Sequence, residues 1–539
     1  MLHLHRKKQN FVQGAFILLV ANLIVKVIGA LFQIPLTRMV GVANMGLFNT
    51  AYTIYMVMLV VSSVGLPSSL AKMVAEATAL GREREVRRIV RVAACIFVPF
   101  GAVCTLLLFF GAGVLAERVG NPGAAAAVAA ISPSVLMVST LSVFRGYYQG
   151  RSDMVPTAVS QIIEALGKLL LGLGFAVVAL GRGADGPAIA AAIVLGITIG
   201  EVVAVLYMLA RSAFSQRRAQ AVHALNDSMR PASSLCKSLL ALTIPITINS
   251  AVMSVTDLID LALIMNRLQD IGMSEHLANI NFGAYKTMAI NFFNLPQTLV
   301  TAIAVSALPA IAGANASQNF TKVKNTMGTT FRLTMLITLP AGAGFLLLAQ
   351  PILRLVYSEH TALAGPLMQI LGLAVPCVAV VAITNAILQA LGRADLPLIS
   401  MFAGAVVKLF MDYALLGTPQ VNIAGAPIST TVCYALIAAI NLFQISRLTH
   451  ALPSFGKTLV RPFAATVGMG AATVISFQTL THVLSAAPGS AMDKVATLIS
   501  ICVAVAVYAV LLLALRAVER EDILMMPGGE KLADLLHLK

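Results

Sequence analysis

The sequence contains no tryptophan, only 6% aromatic residues and only 11% charged ones. A soluble globular chain is about one-quarter charged, so this shortage excludes an ordinary water-soluble enzyme. A disordered chain is excluded as well, because such chains are poor in apolar residues. Six cysteines (Cys95, Cys104, Cys236, Cys377, Cys433 and Cys502) stand singly in or beside apolar runs, and no C-x-x-C spacing occurs. Neither a disulfide framework nor a zinc site follows from them. The eight histidines are scattered, and His3-x-His5 sits in a basic N-terminus where solvation is the simpler fate. A phosphate-binding loop is missing too. Gly167-Lys168 and Gly456-Lys457-Thr458 have Ile162 and Ala451 where that loop needs its first glycine. No connection between apolar runs exceeds about 30 residues, which leaves no room for an extramembrane catalytic domain. Any transport would therefore draw on a gradient or a membrane potential rather than on ATP.

What the 539 residues do have is apolar length: 58% are hydrophobic and the mean hydropathy is +0.89. A membrane span takes about 20 mostly apolar residues. Fourteen such runs begin near residues 11, 44, 89, 124, 155, 187, 237, 286, 329, 363, 397, 423, 461 and 494. The first follows His5-Arg6-Lys7-Lys8 but continues past Lys26 to Gln33 without a small-residue cleavage site, so it reads as a retained helix. The net charge of +15 is first a topology signal in such a chain. Connections on the N-terminal side carry 27 Lys and Arg, and the alternate connections carry 7. That bias predicts both termini in the cytoplasm of a bacterial cytoplasmic-membrane protein and gives no reason to invoke nucleic acid.

An internal repeat is legible. Gly150-Arg151-Ser152-Asp153 recurs as Gly392-Arg393-Ala394-Asp395, Lys168 has a counterpart in Lys408, and several prolines recur in the same order. A repeat of six spans keeps both halves in one orientation. The predicted fold is an all-α polytopic protein of 14 transmembrane helices, with two six-helix lobes in parallel repeat around a central cleft and two helices appended. Its expected divisions are 1–10, 11–233 (N-lobe), 234–447 (C-lobe), 448–517 and a cytoplasmic tail at 518–539.

Eight ionisable residues fall inside spans: Lys26, Glu164, Lys168, Glu201, Asp257, Asp260, Lys408 and Asp412. Facing lipid they would cost on the order of 20 kcal/mol together, so they must face one another or water. Helical periodicity groups them with polar neighbours. Asn22, Lys26 and Gln33 share a face of span one, and Gln161, Glu164 and Lys168 one of span five. Asn291 and Asn294 lie on span eight; Asn249, Asp257 and Asp260 lie on span seven; Ser400, Lys408 and Asp412 lie on span eleven. Glu164/Lys168 and Lys408/Asp412 have the i,i+4 spacing of ion pairs that either neutralise each other within a lobe or line a hydrated cavity. Asp257 and Asp260 are like charges at i,i+3, an arrangement suited to coupling by Na+ or H+. No bound cofactor is expected. The basic stretch Gly81–Arg88 is most simply a topology anchor against anionic lipid.

Two segments carry a family resemblance. GALFQIPLTRMVGVANMGLFNTAYTIYMVMLVVSSVGLPSSLAKMVAEA (29–77) and FRGYYQGRSDMVPTAVSQIIEALGK (144–168) resemble the stage V sporulation protein B branch of the polysaccharide flippases. That branch belongs to the multidrug/oligosaccharidyl-lipid/polysaccharide exporter superfamily and is related to the lipid II flippases. The resemblance implies two six-helix lobes, a V-shaped cleft and often two extra C-terminal helices. In the related lipid II flippases, cations of the first, second and eighth spans are thought to meet a diphosphate. Arg38, before Met39-Val40-Gly41, sits where one such arginine falls; a second corresponds to Phe32 here. Lys26 and Lys286 are the substitutes the resemblance suggests.

The implied substrate is an undecaprenyl-diphosphate-linked saccharide, moved across the bilayer by a monomer. Lys26, Arg38, Lys286, Lys168 and Lys408 would form a cationic cleft. Asn22, Gln33, Glu164, Asn249, Asn291, Asn294 and Asp412 would be its polar lining. The rival readings are a cation-coupled drug exporter, which would use Asp257, Asp260 and Glu164, a membrane polymerase or ligase, and a non-transporting scaffold.

Overall fold

The computed structural model describes residues 11–219, 230–357, 359–393, 395–449, 456–484 and 490–517. The N-terminal residues 1–10 and the tail 518–539 lie outside the described residues. Among those described, every regular element is helical. The first half contains α1 (Phe11–Leu59), α2 (Leu66–Ala79), α3 (Glu83–Arg118), α4 (Ala125–Ile131), α5 (Pro133–Gly150), α6 (Val155–Gly167), α7 (Leu173–Gly181) and α8 (Gly186–Ala219). It is followed by α9 (Ala232–Asp270), α10 (Glu275–Gly283), α11 (Ile290–Ala316), α12 (Phe320–Val356), α13 (Thr361–Ala390), α14 (Asp395–Leu416) and α15 (Gly425–Thr449). The appended pair is α16 (Arg461–Leu484) and α17 (Ser490–Ala514). Wider π-helical turns join α6 to α7 at Lys168–Gly172 and α10 to α11 at Ala284–Ala289.

Among the described residues, 13 helical stretches are long and apolar enough to cross a membrane. The first, Val20–Ala79, is 60 residues long. At 1.5 Å per residue it is about 90 Å, three times the hydrocarbon thickness, and it contains most of the first two expected spans. Its break is Gly41, whose φ of 79° and ψ of 163° are not helical and need a residue without Cβ. The other twelve stretches match the remaining expected spans one for one.

Left-handed residues mark the joints, and they repeat. Gly41, Gly81, Gly120, Ser152 and Gly183 have positive φ in the first series, and Gly272, Gln318, His360, Gly392 and Asn422 in the second. The offsets are 231, 237, 240, 240 and 239 residues. Helix starts agree, with Val155 and Asp395 also 240 apart. The structural register is therefore 240 around span five. The G-R-x-D motif recurs at 242 and does not superpose: the left-handed residue is the third of the motif in the first copy and the first in the second.

The chain divides into two compact units, Met1–Gly283 and Ala284–Lys539. The first includes α9 and α10, which pack on α1 and α3. Its core joins Leu66, Leu70, Val74, Ile89 and Phe97 to Leu235 and Leu239 of α9. The core of the second unit joins α11, α12 and α13 through Val300, Ile311, Phe331, Ile383 and Ile387.

Candidate functional site

Two glycine contacts set the geometry of the first unit's interior. A Cβ on Gly167 would lie 2.4 Å from Cα of Gly200, and one on Gly196 would lie 2.3 Å from the backbone nitrogen of Gly172. The backbone around the Lys168 π-turn therefore lies directly against α8, as small residues allow between membrane helices. That approach holds Lys168, next to Gly167, and Glu201, next to Gly200, in one interior.

There the Lys168 ammonium faces a box of rings. Its Nζ is 5.0 Å from the centroid of Phe32, 5.0 Å from Tyr52 and 5.9 Å from Phe48. The rings also pack on one another, Phe48 on Tyr52 at 5.9 Å and Tyr52 on Tyr55 at 5.8 Å. A desolvated ammonium over aromatic faces gains about 2 kcal/mol from the ring quadrupoles. Beside the box, Tyr55 donates its hydroxyl to Glu201 Oε1 at 3.1 Å, with both side chains buried.

The expected Glu164–Lys168 pair does not form. Glu164 instead pairs with Arg145 of α5 at 2.9 Å, and Arg145 Nε donates to Ser160 Oγ at 3.1 Å. The cause is that α5 continues through Arg145 to Gly150, so this arginine lies inside the helix and reaches across to α6. Among the described residues, Glu164 Oε1 and Gln161 Oε1 are buried without a hydrogen-bond partner. Buried acceptors left this way mark a polar interior.

In the second unit the predicted Lys408–Asp412 pair is present at 2.7 Å on α14. Asp412 is fully buried and also accepts from the Ser429 hydroxyl of α15. Nearby, Ser400 donates to Asn441 at 2.5 Å, and Asn441 donates to Thr384 at 2.9 Å, which ties α13, α14 and α15 together. Ser400 thus belongs to helix packing.

The remaining predicted residues are more open. Lys26 and Arg38 are the only charged residues of the 49-residue α1, and both side chains are exposed. Twelve residues of helix put them about 18 Å apart along the axis. Asn22 is exposed and Gln33 half-buried on the same helix. Lys286 is half-buried in the π-turn that opens the second unit. Asn291 donates its amide back to the Thr287 carbonyl, and Asn294 is exposed. On α9, Asp257 is exposed and Asp260 half-buried. The side chain of Asn249 lies outside the described residues. Among the described residues, no group of three or more His, Cys, Asp or Glu side chains could hold a metal ion. The stretch read as a bare basic anchor holds buried charge: Glu85 pairs with Arg82 at 3.3 Å and with Arg230, and Glu83 pairs with Arg151.

Sequence reasoning missed Arg145, Tyr55 and the three rings around Lys168. The only available signal was the unpaired state of Glu201 in its own helix, which calls for a donor from another.

Comparison with known proteins adds the lineage of this arrangement. A family model described as polysaccharide biosynthesis protein matches residues 11–314, and a second, described as MatE, matches 245–414. Stage V sporulation protein B of Bacillus subtilis is 22% identical over 96% of this chain and 98% of its own length. The lipid II flippase MurJ of the same organism is 24% identical over 93% of this chain and 94% of its own. A solved structure of lipid II flippase MurJ in an inward closed conformation covers 92% of this chain and 98% of that one, with a TM-score of 0.68 at 14% identity. At that identity the likeness speaks for the fold.

Proposed function

The chain belongs to the polysaccharide biosynthesis protein family and is similar along almost its whole length to a lipid II flippase, and from that premise we propose that it is a flippase for a polyprenyl-diphosphate-linked saccharide. It is a multi-pass membrane protein with the fold of its superfamily's exporters. The substrate, of lipid II or oligosaccharide-lipid type, would move from the inner to the outer leaflet by alternating access, for cell-wall or polysaccharide assembly. Both termini would be cytoplasmic.

One observation carries the reading: α1 exposes two cations, Lys26 and Arg38, and contains no anion. Facing hydrocarbon, each would cost about 3 kcal/mol, so they belong on a hydrated surface. A hydrated surface of one sign attracts the opposite one. A diphosphate carries about two negative charges at neutral pH and cannot cross hydrocarbon bare. Cations on a wet face would stabilise it while the polyprenyl tail stays in lipid. Lys168 supports the same reading. Its ammonium lies against Phe32, the position where the related flippases have an arginine, so a cation from span five stands near that place. In the second unit, Lys286 of the eighth span is a further candidate cation for the head group.

The MatE match over residues 245–414, which covers Asp257 and Asp260, favours a second reading, a cation-coupled exporter of cationic compounds. Proteoliposomes separate the two. With a labelled undecaprenyl-diphosphate sugar, wild type is expected to deliver lipid to the opposite leaflet. Lys26→Ala and Arg38→Ala should each lower the rate at least tenfold, with the protein still inserted and folded. Absence of transfer, together with cation-driven dye efflux that needs Asp257 or Asp260, would select the exporter. In the flippase reading those two aspartates are the groups for a coupling Na+ or H+.

A further inference from the structure

The second unit contains a cavity of about 650 Å3 between the facing ends of α12 and α13 and the appended helices α16 and α17. Its lining comes from four helix ends. Arg354 lies in the last turn of α12, Thr361 opens α13, Thr481 is in the last turn of α16, and Asp493 and Lys494 are near the start of α17. Ends of membrane-spanning helices lie at the level of the lipid headgroups. By the distribution of Lys and Arg, this is the end of the bundle away from the basic connections.

Donor and charge accounting then selects the ligand. The Thr481 hydroxyl donates to the Phe477 carbonyl at 2.8 Å and Thr497 to the Asp493 carbonyl at 2.7 Å. Tyr357, also in the lining, donates to the Thr287 carbonyl at 3.3 Å. These hydroxyls are committed to the protein's own backbone. The guanidinium of Arg354 and the ammonium of Lys494 are not: both are exposed, and among the described residues neither has a carboxylate within ion-pair distance. Together the two side chains carry eight N–H donors that an anion could engage. Asp493 is the lone carboxylate among the described lining residues, which together carry a net charge of +1. One positive charge balances the single negative charge of a phosphodiester and leaves a diphosphate under-compensated. Phe477 and Pro351 supply an apolar wall beside the cations.

We propose that this cavity binds the headgroup of an anionic phospholipid, with its phosphodiester held between Arg354 and Lys494 and its glycerol against Phe477. The site is separate from the cations of α1, and the proposal stands whatever the protein transports.

The test uses full-length protein in detergent, stripped of lipid, and native mass spectrometry. Phosphatidylglycerol, phosphatidylcholine of the same acyl chains, and inorganic phosphate are offered in turn. Wild type should hold a single phosphatidylglycerol about tenfold more tightly than phosphatidylcholine, the scale set by two cations near an anionic headgroup. Arg354→Gln with Lys494→Gln should abolish that preference, whereas Arg354→Lys with Lys494→Arg should keep it to within about threefold. Equal binding of both lipids by wild type, or a full preference in the double Gln variant, overturns the proposal. Displacement of phosphatidylglycerol by millimolar inorganic phosphate would assign the site to the free anion and overturn the lipid part. The wild-type comparison needs no variant, so a misfolded mutant leaves the outcome decisive.

Discussion

Lys168 and Lys408 occupy the same register in the two halves of the chain, 240 residues apart on corresponding helices, yet their charges are handled in different ways. Lys408 has Asp412 one turn later at 2.7 Å, and Ser429 completes the carboxylate's hydrogen bonding. One turn after Lys168 the residue is Gly172, so no carboxylate can stand there, and the rings of Phe32, Phe48 and Tyr52 surround the ammonium instead. The missing side chain at Gly172 is what makes room: a Cβ there would lie 2.9 Å from the Phe32 ring. The same fold position thus carries a closed ion pair in one unit and a cation among aromatic faces in the other. An ion pair in a low dielectric is fixed by the charge it would leave behind if broken, whereas a cation–π contact leaves only neutral rings. Stability is therefore the expected business of the second unit's lysine, and a movable charge that of the first.

The largest effect should come from removing Lys408. Lys408→Met leaves the buried Asp412 carboxylate without its cation and should lower the unfolding free energy in detergent by about 3–5 kcal/mol. Lys168→Met loses about 2 kcal/mol of ring attraction, but it also relieves the burial of a charge, so its net change should stay within about 1 kcal/mol. Equal losses in the two variants would break the comparison. A large change in flipping rate with Lys168→Met at unchanged stability would sharpen it.

A smaller effect tests which group neutralises Glu164. Arg145→Gln removes a partner that is 13% exposed from a carboxylate that is 23% exposed, and should cost about 2 kcal/mol. In double-mutant cycles with Glu164→Gln, Arg145 should show coupling of about 1–2 kcal/mol and Lys168 close to none. The opposite ranking would restore the pairing that i,i+4 spacing suggests.

Hydropathy alone made most of the architecture legible, because a span is defined by a length that the bilayer fixes. Twelve helices fall where apolar runs indicated, and the break at Gly41 accounts for the first long one. The Lys408–Asp412 pair was legible for a similar reason: its two members lie on one helix at a spacing the helix dictates. The box around Lys168 was not. Its rings come from α1, far from Lys168 in sequence, and a cation–π contact has no spacing rule. Arg145 was hidden by its proximity to a turn, where a cation reads as a topology marker until the helix is seen to run five residues further. The cavity at Arg354 and Lys494 was hidden for the same reason, since both cations belong to connections in the charge count.

The smallest effect concerns the two copies of G-R-x-D, which look equivalent in sequence and are not. Arg151 reaches Glu83 at the start of α3 and lies 5.3 Å over the Tyr147 ring, so it ties α5 to a helix distant in sequence. Arg393 pairs with Asp395, two residues away, through two hydrogen bonds of 3.0 Å on an exposed turn. A contact within one turn is available to the unfolded chain and adds little to the difference between states. Arg151→Ala should therefore lower the unfolding free energy by about 1 kcal/mol, the scale of a half-exposed ion pair with a ring contact. Arg393→Ala should leave the thermal midpoint where it is. Equal losses in both would make the motif itself the structural unit and return the repeat to an offset of 242 residues. Unequal losses would support the offset of 240 that the left-handed residues Ser152 and Gly392 indicate, the register that makes Lys168 and Lys408 equivalent positions of the two repeats.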